Sequence, residues 1–396
     1  MKQRSATLPY MFMQATLWAI FGFIFSYANP YFTEKLGLSD TVAGWILCLA
    51  TGLACLLQPI LTAVADRTRW NVRRLLIFSA GVTGISCLLT LLPNFSVTAC
   101  MLLFALACTG LQVLPGFANA LGMEGIRSGQ KINFGLARGL GSVCFGLSAR
   151  LADPLISRMG MDGVALAGGV TALLFLASVV WMPAGRRLTT QVQEEAPSGA
   201  GEFFRTQKRF TLLLVAAVLL YIGHNVLSNC MFRIAQSKAN PGESATAIQG
   251  TALMIAAVVE IPAMFSFVRL VRKVRCDSLL KLSCIFMLVR ILLSLVLPGS
   301  LGLYAAQLSQ MLGYALFAVC SVYYAGSVIP KRNVVKGQTY LGLTNTLGSL
   351  FAYALGGSLI DAVGVESMLL VCSLISVVGV ALAFFSVQRV DQTVGA

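Results

Sequence analysis

Long apolar stretches alternate with short polar ones along the whole chain. Twelve of the apolar stretches reach the length of a membrane-spanning helix, which needs about 20 residues. They lie near 8–28, 41–65, 75–92, 97–123, 132–152, 163–182, 210–232, 246–268, 278–297, 301–328, 338–360 and 367–387. The pattern therefore predicts an all-α membrane protein with twelve transmembrane helices, and an even number of crossings puts both termini on the same side of the membrane.

The longest polar stretch divides these spans into two sets of six. It contains the sequence QVQEEAPSGAG at 191–201, a composition typical of a flexible linker. We expect an N-terminal six-helix bundle at 1–182, a cytoplasmic linker at 183–209 and a C-terminal six-helix bundle at 210–396.

A repeated octet indicates that the two bundles are pseudo-symmetric. GLARGLGS at 135–142 returns as GLTNTLGS at 342–349, about half a chain length later. Gly, Leu and Ser are kept, whereas Arg138 in the first copy is matched by Asn345 in the second. Shared packing residues with different polar residues are what two halves that bind one asymmetric solute require.

Composition and charge support the membrane assignment. Hydrophobic residues make up 57% of the chain and charged residues only 11%, with a mean hydropathy of +0.81, whereas soluble proteins carry about 25% charged residues. The net charge of +14 lies in short clusters that the predicted topology sorts to one side, which is the positive-inside pattern and not a nucleic-acid surface. We therefore expect a multi-pass protein of a bacterial inner (plasma) membrane, with both termini cytoplasmic.

The sequence lacks the motifs of an enzyme, an ATP-driven pump or a metal site. It has no phosphate-binding Gly-Lys-Ser/Thr loop and no nucleophile elbow, and a single histidine excludes a His-pair metal site. The eleven cysteines form no C-x-x-C motif and are interpreted as small buried hydrophobic residues. We expect no enzymatic activity, no cofactor and no nucleic-acid partner, and we expect a monomer.

Few charged residues fall inside the predicted spans, namely Arg138, Glu260 and Arg290, with Glu124 near a helix end. A charge near the bilayer centre costs about 2.5–3.5 kcal/mol on insertion scales, so it needs a partner or a wet cavity. A carboxylate can lose its charge by taking a proton, whereas an arginine cannot. Glu260 is therefore the predicted proton-coupling residue with Arg290 beside it, and a purely structural pair is the alternative.

Polar residues in the spans supply candidate solute-binding groups. His224 and Asn225 begin a polar stripe on the seventh span, and Asn119 and Asn345 are further candidates. Arg138 is interpreted as a polar anchor paired with Glu124. The alternatives are a structural role for His224 and an Arg138 that extends to the cytoplasmic surface.

The loop at 66–74 reads DRTRWNVRR. It resembles the acid-plus-basic loop motif of the major facilitator superfamily, although Thr62 stands where that family usually has Gly. This resemblance implies a latch formed by Asp66, Arg67 and Arg73 at the cytoplasmic ends of helices. An ordinary positive-inside loop is the alternative interpretation.

Three further stretches resemble the lactose-permease-like proton symporters and the related phenylpropionate-transporter-like group, namely Gln58-Pro59, the run from Glu124 to Arg138, and Val289-Arg290-Ile291. The resemblance implies that Glu124, Arg138 and Phe145 bind a sugar and that Glu260 and Arg290 match charged residues of that group. The chain lacks that group's His and carboxylate on the tenth helix and its acid pair on the seventh.

These observations predict a secondary active transporter that couples protons to the uptake of a small organic solute by alternating access. A saccharide or glycoside is favoured because a carboxylate, a guanidinium and an aromatic ring suit sugar hydroxyls and C–H faces. An aromatic or other organic-acid symporter, an efflux antiporter and a non-transporting membrane sensor are the alternatives. The expected partners are the solute, protons and the lipid bilayer.

Overall fold

The computed structural model describes residues 6–67, 71–183, 199–270 and 273–390, which consist of helices and short connections. Ten helices in these ranges are long and apolar enough to cross a membrane. The predicted all-helical, multi-pass class is therefore confirmed. The number of twelve spans, the two six-helix bundles and the side of the termini stay predictions.

Six long helices form the first part of the chain: α1 (Thr7–Phe25), α2 (Asp40–Arg67), α3 (Val72–Leu89), α4 (Val97–Arg127), α5 (Phe134–Met159) and α6 (Asp162–Trp181). Side-chain caps fix three of their starts. Asn71, Ser96 and Asn133 each accept a hydrogen bond from the backbone N–H three residues on, which satisfies a donor that the first helical turn leaves unpaired.

Five long helices follow: α7 (Lys208–Asn229), α8 (Ala245–Leu270), α9 (Cys276–Val296), α10 (Gly299–Val328) and α11 (Val334–Ser386). Shorter helices cover Ala28–Pro30, Ala200–Thr206 and Met231–Lys238, with a 3-10 turn at Lys331–Asn333. Gly364 has a φ of 81° inside α11. This left-handed conformation, which glycine tolerates, separates two helical stretches at the places predicted for the last two spans.

Helix α5 is not among the ten apolar helices, although it has 26 residues. It contains four charged residues and several small ones, which lower its hydropathy: Arg138, Arg150, Asp153 and Arg158. A helix of this kind needs neighbours that cover its polar groups.

The chain divides into two compact units. Unit 1 comprises Met1–Thr190 and Ser244–Val258, and unit 2 comprises Gln191–Glu243 and Val259–Ala396. The start of α8 belongs to unit 1 because Asp153 of α5 accepts hydrogen bonds from the Ser244 and Thr246 hydroxyls, at 2.8 and 2.6 Å. The remainder of α8, with Glu260, belongs to unit 2.

The repeated octet has the same packing role in both units. A Cβ at Gly141 would lie 3.1 Å from Cγ of Trp18 on α1. A Cβ at Gly348 would lie 2.9 Å from the carbonyl carbon of Tyr221 on α7. Each copy therefore uses the glycine at its seventh position to bring its helix against the first long helix of its own unit, as small residues do in membrane helices.

Two long helices contain a π-helical turn, at Phe21–Phe25 in α1 and at Met311–Ala315 in α10. Glycines let both turns approach a neighbour closely. A Cβ at Gly22 would lie 2.6 Å from the Phe145 carbonyl oxygen, and one at Gly313 would lie 3.2 Å from the Met287 nitrogen. Such turns are rare and occur frequently at functional sites.

Candidate functional site

A buried polar network lies in unit 2 around Arg290, whose side chain is 2% exposed. Its Nε and Nη2 donate to Oε1 of Gln307 at 3.1 and 2.6 Å, and its Nη1 lies 3.0 Å from Nδ1 of His224. Because a guanidinium only donates, His224 accepts at Nδ1 and its ring proton lies on Nε2. Two neutral partners thus solvate the buried cation.

Glu260 and Gln310 form the second part of this network. The Gln310 amide nitrogen donates to Oε1 of Glu260 at 2.7 Å, and the charges of Glu260 and Arg290 interact. Gln310 is 5% exposed, and its own Oε1 has no hydrogen-bond partner among the described residues. An amide flip would turn that oxygen towards Glu260. Gln310 can therefore donate a hydrogen bond to the carboxylate or accept one from the protonated acid.

The π turn of α10 closes the network into a ring. Tyr314 in this turn stacks on the His224 ring, with centroids 4.5 Å apart and planes at 10°. Gln310, immediately before the turn, contacts Glu260. We name these six residues the Arg290 network: His224, Glu260, Arg290, Gln307, Gln310 and Tyr314. A change of charge at Glu260 can affect His224 in two ways, through Arg290 and through the π turn that carries Tyr314.

Asn225 and Asn345 are brought together as well. The Asn225 amide donates to the Asn345 side-chain oxygen at 3.0 Å and to its backbone oxygen at 3.3 Å. This contact joins α7 to the second copy of the octet. One turn further along α7, the Asn229 amide nitrogen is buried with no hydrogen-bond partner among the described residues.

Unit 1 holds a separate polar group around Trp18. The Arg138 guanidinium lies over the Trp18 ring, 4.0 Å from its centroid, an arrangement typical of a cation–π contact. Trp18 Nε1 donates to Gln14 at 3.1 Å, and Gln14 in turn donates to Tyr10 at 2.9 Å and to Asn119 at 3.3 Å. Asn119 is thus placed beside the same group as Arg138.

The expected ion pair between Arg138 and Glu124 is not formed among the described residues. Arg138 makes no hydrogen bond or ion pair there, so its N–H donors point to no protein acceptor. Glu124 and Phe145 are both half-buried, on α4 and α5. Their predicted roles in solute binding stay predictions.

The residues of the predicted latch lie at the ends of α2 and α3. The side chains of Asp66 and Arg67 lie outside the described residues. The Arg73 guanidinium donates to the carbonyl oxygen of Met182, at the end of α6. Arg73 therefore satisfies a helix C-terminus within unit 1, and the latch itself stays a prediction.

Residues 8–380 match the model of the MFS_1 like family. The chain belongs to this family. Its fold resembles the nucleoside transporter NupG, with a TM-score of 0.77 at 14% identity over 96% of this chain and 98% of that one. A mutant of NupG gives a TM-score of 0.81 at 13% identity over 97% of this chain and 100% of that one.

The fold of this MFS_1-like chain also resembles the peptide transporter POT in complex with sulfate. The TM-score is 0.73 at 13% identity, over 96% of this chain and 93% of that one. No curated protein matches the sequence. The match to the family model confirms the resemblance to the major facilitator superfamily. Membership of the lactose-permease-like subgroup stays a prediction.

Five residues of the two polar groups were missed by the sequence analysis of this MFS_1-like protein: Tyr10, Gln14, Trp18, Gln307 and Tyr314. In the sequence of an apolar span, a tryptophan that belongs to a polar group cannot be distinguished from one that faces lipid. The available signal was Gln14, a polar residue one turn before Trp18. Gln307 carries a similar signal, because a wholly buried amide in a membrane helix requires a partner.

Two charged residues outside the spans have shifted acid–base behaviour. Burial lowers the pKa of Lys35, but the hydrogen bonds and charge interactions with Asp162 and Tyr31 together outweigh this effect and leave the pKa raised. The backbone N–H of Asn240 and the Ser300 hydroxyl donate to Glu243 at 2.9 Å each and hold its pKa below the ordinary value. Both side chains are therefore charged near neutral pH.

Proposed function

We propose that the chain is a proton-coupled secondary transporter that takes up a small polar solute by alternating access. The observation that carries this proposal is the Arg290 network, in which a titratable carboxylate contacts a buried amide and interacts with a buried cation. The family supports transport in general, and proton coupling is our inference from these residues.

The proposed coupling step is the arrival of a proton on a carboxylate oxygen of Glu260. The neutral acid no longer attracts Arg290, which keeps its contacts to Gln307 and His224. The Gln310 amide then presents its oxygen to the new O–H group. Because the two protonation states interact differently with their surroundings, they favour different conformations of the transporter.

A saccharide or glycoside is the proposed solute class. In unit 1, the guanidinium of Arg138 has N–H donors for hydroxyl oxygens, and the Trp18 ring offers an apolar surface for the C–H face of a sugar. Nucleosides are glycosides, so the fold resemblance to the nucleoside transporter NupG is in keeping with this class. We propose that Glu124 and Asn119 supply further polar contacts.

An organic acid is the second candidate, because a half-buried arginine with unused donors also suits a carboxylate. Arg290 gives this candidate little support, since three of its N–H groups are engaged and its side chain is 2% exposed. Efflux in place of uptake, and a sensor without flux, are the alternatives that a direct transport measurement separates.

The test is uptake into proteoliposomes with a panel of sugars, nucleosides and organic acids, with and without an imposed pH gradient. Glu260→Gln should abolish uptake driven by the pH gradient and retain exchange of labelled for unlabelled solute. Glu366→Gln, which removes an exposed carboxylate of the same unit, is the matched control and should leave both activities intact.

Driven uptake that survives in Glu260→Gln would exclude Glu260 as the coupling group. Flux of an organic acid without flux of sugars or nucleosides would show that the solute is an organic acid and not a saccharide or glycoside. The absence of flux for every solute in the panel, with folded protein, would favour the sensor.

A further inference from the structure

A basic cavity of about 350 Å³ lies at the start of α7 in unit 2. Three cationic residues line it, with one polar residue each from just before α7, from α10 and from the chain after α11: Arg205, Lys208, Arg209, Gln207, Tyr324 and Gln388. Its described lining residues include no carboxylate. Its volume falls in the range of small-ligand sites, about 300–1,000 Å³.

Among the residues that the structure describes, no acid pairs with the three cations. Arg205, Lys208 and Arg209 make no hydrogen bond or ion pair among the described residues. Two carboxylates of the described part of unit 2 have basic partners elsewhere. Glu202 pairs with Arg332 at 3.6 Å and Asp277 pairs with Arg275 at 2.7 Å. Positive charge therefore accumulates around this cavity.

The backbone adds to the same potential. Helix α7 begins at Lys208 with no side-chain cap at Gln207 and no acidic residue in its first turn. The first N–H groups of a helix lack intrahelical partners, and the helix dipole places a positive partial charge there. Two exposed cations at this end stand where acidic residues are usually preferred, so the local potential is positive and favours an anion.

We propose that this cavity binds a phosphate group, supplied either by a soluble phosphorylated molecule or by the headgroup of an anionic phospholipid. The positive-inside pattern accounts for basic residues on one side of the membrane. Here three exposed cations, which have no partner among the described residues, also meet an uncapped helix start around one cavity. Tetrahedral phosphate oxygens suit convergent guanidinium, ammonium and backbone donors.

Binding would join three parts of unit 2. The cavity is bounded by the helix Ala200–Thr206, by α7 and by α10, and the Gln388 N–H donates to the Tyr324 hydroxyl at 2.9 Å across its far side. A ligand that binds the folded state alone stabilises it by an amount that rises with the logarithm of one plus its concentration over its Kd. Thermal stability is therefore a direct readout.

The experiment measures the melting temperature of the full-length protein in neutral detergent with increasing inorganic phosphate, against chloride at equal ionic strength. A second arm compares nanodiscs of phosphatidylcholine with nanodiscs that contain phosphatidylglycerol. The test variant is Lys208→Gln/Arg209→Gln. The matched control, Lys273→Gln/Arg127→Gln, removes one Lys and one Arg that lie outside the cavity.

We expect phosphate or phosphatidylglycerol to raise the melting temperature of the wild type and of the control, with an apparent affinity at least about tenfold weaker in the test variant. A response to phosphate identifies a soluble ligand, and a response to the lipid alone identifies the headgroup. Equal responses of both double variants, with unchanged melting in chloride, would overturn the proposal. The single variants Lys208→Gln and Arg209→Gln repeat the test if the double variant melts early.

Discussion

The repeated octet contains two glycines that the structure places in opposite environments. A Cβ at Gly348 would lie 2.9 Å from the carbonyl carbon of Tyr221 and 3.2 Å from the nitrogen of Ile222. At Gly342, in the same helix and the same octet, no atom lies within 4 Å of such a Cβ. Alanine at the two positions therefore adds one methyl group either against a helix backbone or into open space.

Gly348→Ala should destabilise the protein by about 1–3 kcal/mol, the usual cost of overpacking a tight site. Since ordinary van der Waals contact begins near 3.4 Å, α11 and α7 must separate by a few tenths of an ångström or more. Backbone atoms cannot rotate away as a side-chain end can. The separation would also weaken the 3.0 Å hydrogen bond from Asn225 to Asn345, one turn before the glycine.

Gly342→Ala should be neutral or slightly stabilising, by up to about 1 kcal/mol, because alanine is the better helix former. The assay is thermal unfolding of both variants in the same detergent. At about 1–2 °C per kcal/mol for a chain of 396 residues, we expect the Gly348 variant to melt roughly 1–6 °C below the wild type. Equal melting temperatures for the two variants would refute the inferred contact between α11 and α7.

Two other predictions concern hydrogen bonds to carboxylates. Gln310→Leu removes the amide that pairs with Glu260 in both protonation states and should slow the uptake that a pH gradient drives; Gln112→Leu, which loses a bond to Thr51 at 2.6 Å, should not slow it. Because the folded state lowers the pKa of Glu243, the ionised carboxylate stabilises the protein at pH values above the ordinary pKa of 4.5. Glu243→Gln should therefore lower the melting temperature at neutral pH, and the melting temperatures of variant and wild type should converge in acid. A difference that persists at low pH would contradict this assignment.

Hydropathy predicted the helices well because a bilayer-spanning segment must be long and apolar. The span predicted at 75–92 is observed at Val72–Leu89, and the helix predicted at 97–123 begins at Val97. The latter continues to Arg127, so Glu124 lies within the helix. The end was predicted too early because polar residues of a last helical turn resemble those of a loop.

The charged positions Glu260 and Arg290 were also found from the sequence, because their cost in a membrane makes them conspicuous. Their partners were not. Gln307 and His224 lie on α10 and α7, and the spacing of residues along a chain carries no information on which helices pack together. Arg138 illustrates the same limit, since its ring partner Trp18 replaces the expected acid.

The π turn at Met311–Ala315 holds one residue more than an α-helix would need between the same two ends. Removing a residue there would let an α-helix form without a gap, and the following residues would rotate by about 100°. Tyr314 would then face away from His224. We therefore expect homologues of this chain that lack the extra residue to lack this aromatic contact. A one-residue gap at this position of a sequence alignment would identify the homologues whose α10 has lost the stacking contact with α7.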